Sequence, residues 1–163
     1  MNEEKLYFAY GSNINLNQMD MRCPNARVIG PVVLEGYELL FRGNLRGCGV
    51  ATIAPKEGEI VHGLLWNITP SCEQSLDGYE GFPYLYKKEQ VLVQDKDGQK
   101  IPVMAYVMTD VWHSPALPSP SYYAGIQKGF WQNGLPLESL RQALKKVQQE
   151  VREHHPRKRE PER

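Results

Sequence analysis

At 163 residues, 41% of them apolar, the chain has enough material for one domain with its own core. Its 19 basic and 19 acidic side chains cancel to a formal net charge of zero, which argues against nucleic acid or an anionic membrane as the main partner, because both reward a basic excess. Three widely spaced cysteines, Cys23, Cys48 and Cys72, with no C-x-x-C, predict reduced thiols in a cytoplasmic protein rather than a disulfide framework or a zinc site. The polar start MNEEK and the short apolar run after it predict a soluble protein without a signal segment or spanning helix.

Residues 5–10, KLYFAY, read as a strand of aromatic and aliphatic side chains. INLNQMDMR predicts a short helix capped by Ser12 or Asn13 and stopped by CPN, although Ile14, Leu16, Met19 and Met21 keep no regular helical period. Tyr10-Gly11-Ser12-Asn13 lies between the two and reads in two ways. It is either plain turn punctuation or a turn that exposes backbone N–H groups at a helix start, where an anion sits well.

A β-rich middle follows as three runs, ARVIGPVVLEGYELLFRG, GVATIAP and EIVHGLLWNI, fenced by Gly or Pro. TPSCEQSLDGY, residues 69–79, predicts a helix with Thr69 as N-cap, Pro70 at the first helical position and Glu73 in the first turn. YLYKKEQVLVQD and IPVMAYVMTD are two further strands joined by KDGQ, in which Asp97-Gly98 signals a hairpin. After the bend ALPSPS, helices are expected over about 121–131 and 136–152, the second with Leu137, Leu140, Leu144, Val147 and Val151 on one core-facing stripe. The last dozen residues, REHHPRKREPER, have no apolar side chain, so a domain of residues 1–152 is expected to end in a disordered, solubilising tail over 153–163. Strands early and helices gathered late predict an α+β domain around a sheet or small barrel.

Few residues suggest nucleophilic chemistry. Ser12 lies in G-S-N rather than in a G-x-S-x-G elbow, and a turn hydroxyl caps more readily than it attacks. Cys72 and His62 would form a thiolate pair only if folding brought them together. His154 and His155 lack partners for a metal, and no G-x-G-x-x-G or P-loop supports a nucleotide cofactor. Acids are more informative. SLDGYEGFPY places Asp77 and Glu80 three apart at the end of the predicted helix, and Glu80 precedes Gly81 at an element boundary where a side chain can enter a cleft. Tyr79, Phe82 and Tyr84 would exclude water there and raise its pKa, as a general base near neutral pH requires. A surface carboxylate beside a turn is the alternative.

LYFAYGSN, GVATI at 49–53, HGLLW at 62–66, SLDGYEG at 75–81, YVMT at 106–109, PSPSY at 118–122 and NGLP at 133–136 stand in the order of the γ-glutamylcyclotransferase family. The chain resembles that family over roughly residues 5–150. The resemblance implies a small mixed β-barrel flanked by helices, often dimeric. It also implies an enzyme that needs no cofactor and no metal. In its reaction the α-amine of a γ-glutamyl amino acid attacks its own γ-amide carbonyl, giving 5-oxoproline and releasing the amino acid, an intramolecular acyl transfer of glutathione metabolism that acts as a lyase.

Carried over residue by residue, the family's catalytic glutamate is Glu80. Its substrate-binding turn is Tyr10, Gly11, Ser12 and Asn13 with Ile14 and Asn15 behind, and its substrate-contacting tyrosine is Tyr122. Tyr86 and Tyr106 read either as lining or as core residues. Departures from the family pattern are a GFPYLY stretch about one residue shorter than in the animal enzymes, Phe130 in place of a small residue and Ser139 in place of a tyrosine. They bear on substrate choice. A cyclotransferase for a γ-glutamyl amine or a biosynthetic intermediate, and a non-catalytic module that binds the same ligand, are the alternative readings.

Overall fold

A computed structural model describes residues 4–44, 46–110 and 114–154. Its strands are β1 (Lys5–Ala9), β2 (Arg27–Gly43), β3 (Gly49–Ile68), β4 (Tyr86–Gln94) and β5 (Lys100–Met108). Its helices are α1 (Leu16–Arg22), α2 (Pro70–Glu80), α3 (Pro120–Gln132) and α4 (Leu137–His154). The strands close into a barrel in the order β1-β3-β2-β4-β5. All neighbours are antiparallel except β1 and β5, which meet in parallel at Tyr7 and Met104 and make the barrel mixed. This is the expected α+β architecture, a small mixed barrel flanked by helices.

GVATIAP and EIVHGLLWNI, read from the sequence as separate runs, are one continuous strand, β3. It pairs with β2 from Arg27–Asn67 to Gly43–Gly49, with a register shift between Glu35 and Tyr37. Gly36 and Gly58, at φ of 82° and 87°, take up the left-handed backbone there, so the ribbon bends without ending. Leu64 and Leu65 are both buried although successive strand residues face opposite ways, so both faces of β3 are covered.

Elements near the site start and stop for local reasons. Thr69 caps α2 as expected, its hydroxyl accepting from the Cys72 N–H, with Pro70 at the first helical position. The cap of α1 differs from expectation. The chain first makes a 3₁₀ turn over Ser12–Ile14, which moves the cap from Ser12 or Asn13 to Asn15, whose Oδ1 accepts from the Gln18 N–H at 3.0 Å. In the β4–β5 connection Gly98, at φ 82°, pivots a turn in which Asp95 Oδ1 accepts from the N–H groups of Asp97 and Gln99.

α4 lies on β2 through the expected stripe, Leu140 and Val147 fully buried and Leu137, Leu144 and Val151 packed at its margins. Each fully buried side chain of this kind contributes about 1.5–3 kcal/mol. Arg42 grips Glu150 with two bonds of 2.9 and 3.2 Å, tying β2 to the end of α4. The helix runs to His154, and the tail expected from 153 onward otherwise lies outside the described residues. Cys23 and Cys72 are buried free thiols, and Cys48 is an exposed one. Among the described residues no helix is long and apolar enough to cross a membrane.

Candidate active site

α2 delivers the acid. Gly81, at φ 69°, ends the helix: its N–H returns to the Gly78 carbonyl and the Phe82 N–H to the Asp77 carbonyl, a Schellman closure. Glu80 is thereby held on the last helical turn. Its carboxylate and that of Asp77 have opposite surroundings. Asp77 is bound by Lys88 at 3.0 Å and accepts from the Tyr106 hydroxyl at 2.6 Å, whereas no cation among the described residues is within ion-pair reach of Glu80. Of the two acids, Glu80 lines the cavity described below and Asp77 does not.

The turn after β1 faces it. Arg22 donates to Asn13 Oδ1 at 2.6 Å, which fixes the orientation of that amide. Asn13 Nδ2 therefore points the other way, donating to the Tyr7 hydroxyl at 2.9 Å and to Glu80 Oε2 at 3.3 Å. The Trp66 indole holds the Asn13 carbonyl at 3.0 Å. Arg22 also stacks on the Tyr79 ring, 3.6 Å from its centre, while the Tyr79 hydroxyl lies 3.0 Å from Ser12 Oγ. The N–H groups of Ile14 and Asn15 close the 3₁₀ turn onto the carbonyls of Gly11 and Ser12. Among the described hydrogen bonds, none uses the N–H groups of Gly11, Ser12 or Asn13, the three that such a turn leaves unsatisfied.

Turn and acid share one cavity of about 390 Å³, lined also by Tyr7, Tyr10, Tyr86, Tyr106 and Tyr122. Tyr10 donates to the Tyr106 carbonyl and Tyr86 to the Ala51 carbonyl. Tyr122 accepts from the Ala51 N–H at 2.9 Å, and Tyr7 accepts from Asn13, so both can turn a hydroxyl proton toward a ligand. Gly11 is pressed against this wall. A Cβ there would stand 3.0 Å from the Ala51 Cβ and 3.6 Å from the Tyr122 oxygen.

Electrostatics follow from this aromatic setting, in which Glu80 is half-buried. Burial pushes the Glu80 carboxyl up from its ordinary 4.5 to about 7, with the Arg22 charge pulling the other way. Its place at the negative end of α2 acts in the same direction as burial. Burial, and then the Glu80 charge, hold the phenols of Tyr7 and Tyr10 well above their ordinary range, so these are neutral hydrogen-bond groups. A carboxyl that titrates near neutrality can both accept and return a proton there.

Tyr10, Gly11, Ser12, Asn13, Glu80 and Tyr122 are thus brought together, and Tyr86 and Tyr106 prove to be lining and buried at once. Ile14 and Asn15 do not line the cavity. Ile14 is wholly buried, and the Asn15 amide donates to the Gly125 carbonyl at 2.9 Å, clamping the turn to α3. Phe82 and Tyr84, expected around Glu80, do not line it either; Tyr84 is 81% exposed, and the barrel tyrosines supply the apolar wall instead. Sequence reasoning missed Tyr7, Arg22 and Arg46. Arg22 stands four residues after Gln18, whose Oε1 it also reaches at 2.8 Å, a helical spacing visible in the sequence but pointing to no partner.

A closed mixed barrel and the 3₁₀ turn after β1 frame a cavity into which Glu80, a carboxyl with no ion pair among the described residues, is set. The γ-glutamyl cyclotransferase, AIG2-like family model matches residues 7–133. The γ-glutamylcyclotransferase of Homo sapiens is 37% identical over 144 residues, covering 83% of this chain and 75% of that protein, and the Bos taurus protein of the same name matches to the same extent. A solved γ-glutamyl cyclotransferase structure superposes with a TM-score of 0.77 at 34% identity, over 90% of this chain and 87% of that one. The chain belongs to the γ-glutamyl cyclotransferase, AIG2-like family.

Proposed function

We propose that the protein is a γ-glutamylcyclotransferase that cyclises γ-glutamyl amino acids to 5-oxoproline and releases the amino acid, with Glu80 moving the protons. The observation that carries this reading is the position of Glu80, a carboxyl without an ion-pair partner among the described residues, in one cavity with Gly11, Ser12 and Asn13, whose N–H groups no described hydrogen bond uses.

The Glu80 carboxylate takes a proton from the substrate's α-ammonium, and the freed amine attacks the γ-carbonyl carbon. A C–N bond forms, and the carbonyl electron pair moves to oxygen. Backbone N–H groups of the turn receive that oxyanion or the glutamyl carboxylate. Glu80, now protonated, donates to the departing nitrogen as the old C–N bond breaks, and a second proton passes from ring nitrogen to leaving amine by the same relay. The carboxylate ends as it began. Because nucleophile and electrophile are tethered, holding the substrate folded supplies much of the acceleration; well-oriented intramolecular reactions reach effective molarities of about 10⁵ M or more. Tyr122 closes the pocket with its hydroxyl, Tyr10 contributes its ring, and Ile14 and Asn15 hold the turn in place from behind.

On this reading the enzyme works in the cytoplasm, in γ-glutamyl and glutathione turnover. The unpaired Cys23, Cys48 and Cys72 suit a reducing compartment. The family resemblance supports a homodimer, and light scattering that returns twice the 18.7 kDa chain mass would bear this out. Mass spectrometry of 5-oxoproline after incubation with γ-glutamyl dipeptides, a γ-glutamyl amine and glutathione tests the activity. Product from at least one dipeptide is expected, and a folded protein that yields none from any substrate refutes it.

A further inference from the structure

The cavity holds a second charge that the cyclisation steps do not use. Arg46, in the hairpin between β2 and β3, lines the same cavity as Glu80. It is exposed, and among the described residues no carboxylate pairs with it.

The described residues of this hairpin are tied together by hydrogen bonds. Asn44 Oδ1 accepts from the N–H groups of Arg46 at 2.9 Å and Cys48 at 3.0 Å, and the Asn44 N–H donates to the Cys48 carbonyl at 2.8 Å. Its stem is seated on the segment that leads into α3. The Gly43 N–H donates to the Ser114 carbonyl at 2.8 Å and the Gly49 N–H to the Leu117 carbonyl at 2.9 Å. A Cβ on Gly49 would fall 2.1 Å from the Ala116 oxygen, so only glycine allows this approach. The segment then starts α3, which carries Tyr122 into the cavity wall, so Arg46 and Tyr122 are fixed to one frame.

We propose that Arg46 is a specificity-determining residue that binds the carboxylate of the departing amino acid, selecting γ-glutamyl amino acids over γ-glutamyl amines; this rests on the reading of the cavity as a cyclotransferase site. A γ-glutamyl amino acid brings one ammonium and two carboxylates. Glu80 faces the ammonium, and the free N–H groups of the turn suit the glutamyl end. The second carboxylate would otherwise lose its water against tyrosine rings without compensation. A guanidinium fork with no competing carboxylate supplies the missing charge and matches a carboxylate with two parallel bonds. A γ-glutamyl amine has nothing to offer Arg46, which then stays hydrated and contributes no binding.

γ-Glutamyl-alanine and γ-glutamyl-ethylamide differ by that one carboxylate, so their kcat/KM values with wild type, R46Q and R46K test the proposal. Wild type should prefer the dipeptide. R46Q, an exposed substitution checked for folding by circular dichroism, should lower that preference about tenfold or more, mainly through KM, and R46K should keep part of it. An unchanged preference in R46Q overturns the proposal, whether both substrates suffer alike because Arg46 holds the shared glutamyl end or neither suffers. Folded wild type that makes 5-oxoproline from neither of these nor from any other γ-glutamyl dipeptide, γ-glutamyl amine or glutathione overturns the cyclotransferase reading, and this inference falls with it.

Discussion

Glu80→Gln should make the protein more stable above neutral pH while disabling it. Burial raises the folded carboxyl from 4.5 to about 7, so between those values the native state holds a proton that the unfolded chain has released. Stability attributable to this group is therefore full below pH 4.5 and is lost as pH rises through 7. At about 1.4 kcal/mol per pKa unit the loss amounts to roughly 3 kcal/mol, and water reaching the carboxylate through the cavity lowers it to about 1–3 kcal/mol. Gln occupies the same volume and does not titrate. Urea unfolding of wild type and Glu80→Gln at pH 4.5 and at pH 8 gives the difference directly, with the other groups cancelling. The advantage of the variant should grow by about 1–3 kcal/mol between the two pH values, or about 2–12 °C in Tm for a chain of this size. A difference that stays flat or shrinks with pH would refute the burial argument.

Four other outcomes follow from the same contacts. The kcat/KM profile of wild type should fall on the acid side with an apparent pKa near 7, and Arg22→Gln should move that limb upward, because Arg22 is the charge that lowers Glu80. Tyr122→Phe should reduce kcat/KM about tenfold and cost about 1 kcal/mol in chemical unfolding, since the Ala51 N–H loses its acceptor. Gly129→Ala places a Cβ 2.7 Å from the Asn15 nitrogen, so thermal unfolding should show a loss of about 1–3 kcal/mol and activity should fall as α3 is pushed off the turn. Leu140→Ala should cost about 2–5 kcal/mol by urea titration with little change in kcat below the new transition, because it empties the α4–β2 contact and leaves the cavity alone.

Local physics was legible in the sequence. Thr69-Pro70 announces a helix start through a cap and a fixed φ, and both act within a few residues. Asp97-Gly98 marks a turn because few residues but glycine accept φ 82°. The spacing of Leu140 and Val147 shows the buried face of α4 because period and packing agree. What escaped depends on contacts distant in sequence. β3 looks like two strands because Pro55 and Gly58 punctuate it, yet the ladder from β2 carries the chain across. Asn15 takes the cap of α1 because a preceding 3₁₀ turn displaces it. SLDGYEG offers two carboxylates, and Lys88 of β4 with Tyr106 of β5 decides between them by engaging Asp77. Arg46 carries no local signal, since the cavity it lines is formed by elements distant from it in sequence.

Proton transfer through Glu80 is the centre of the account, and steady-state release of 5-oxoproline by wild type and Glu80→Gln from γ-glutamyl-alanine at pH 8 tests it most directly. The account expects kcat to fall about 10²–10⁴-fold in a variant whose Tm is equal to or above that of wild type. A stable Glu80→Gln protein that turns over within tenfold of wild type would contradict it.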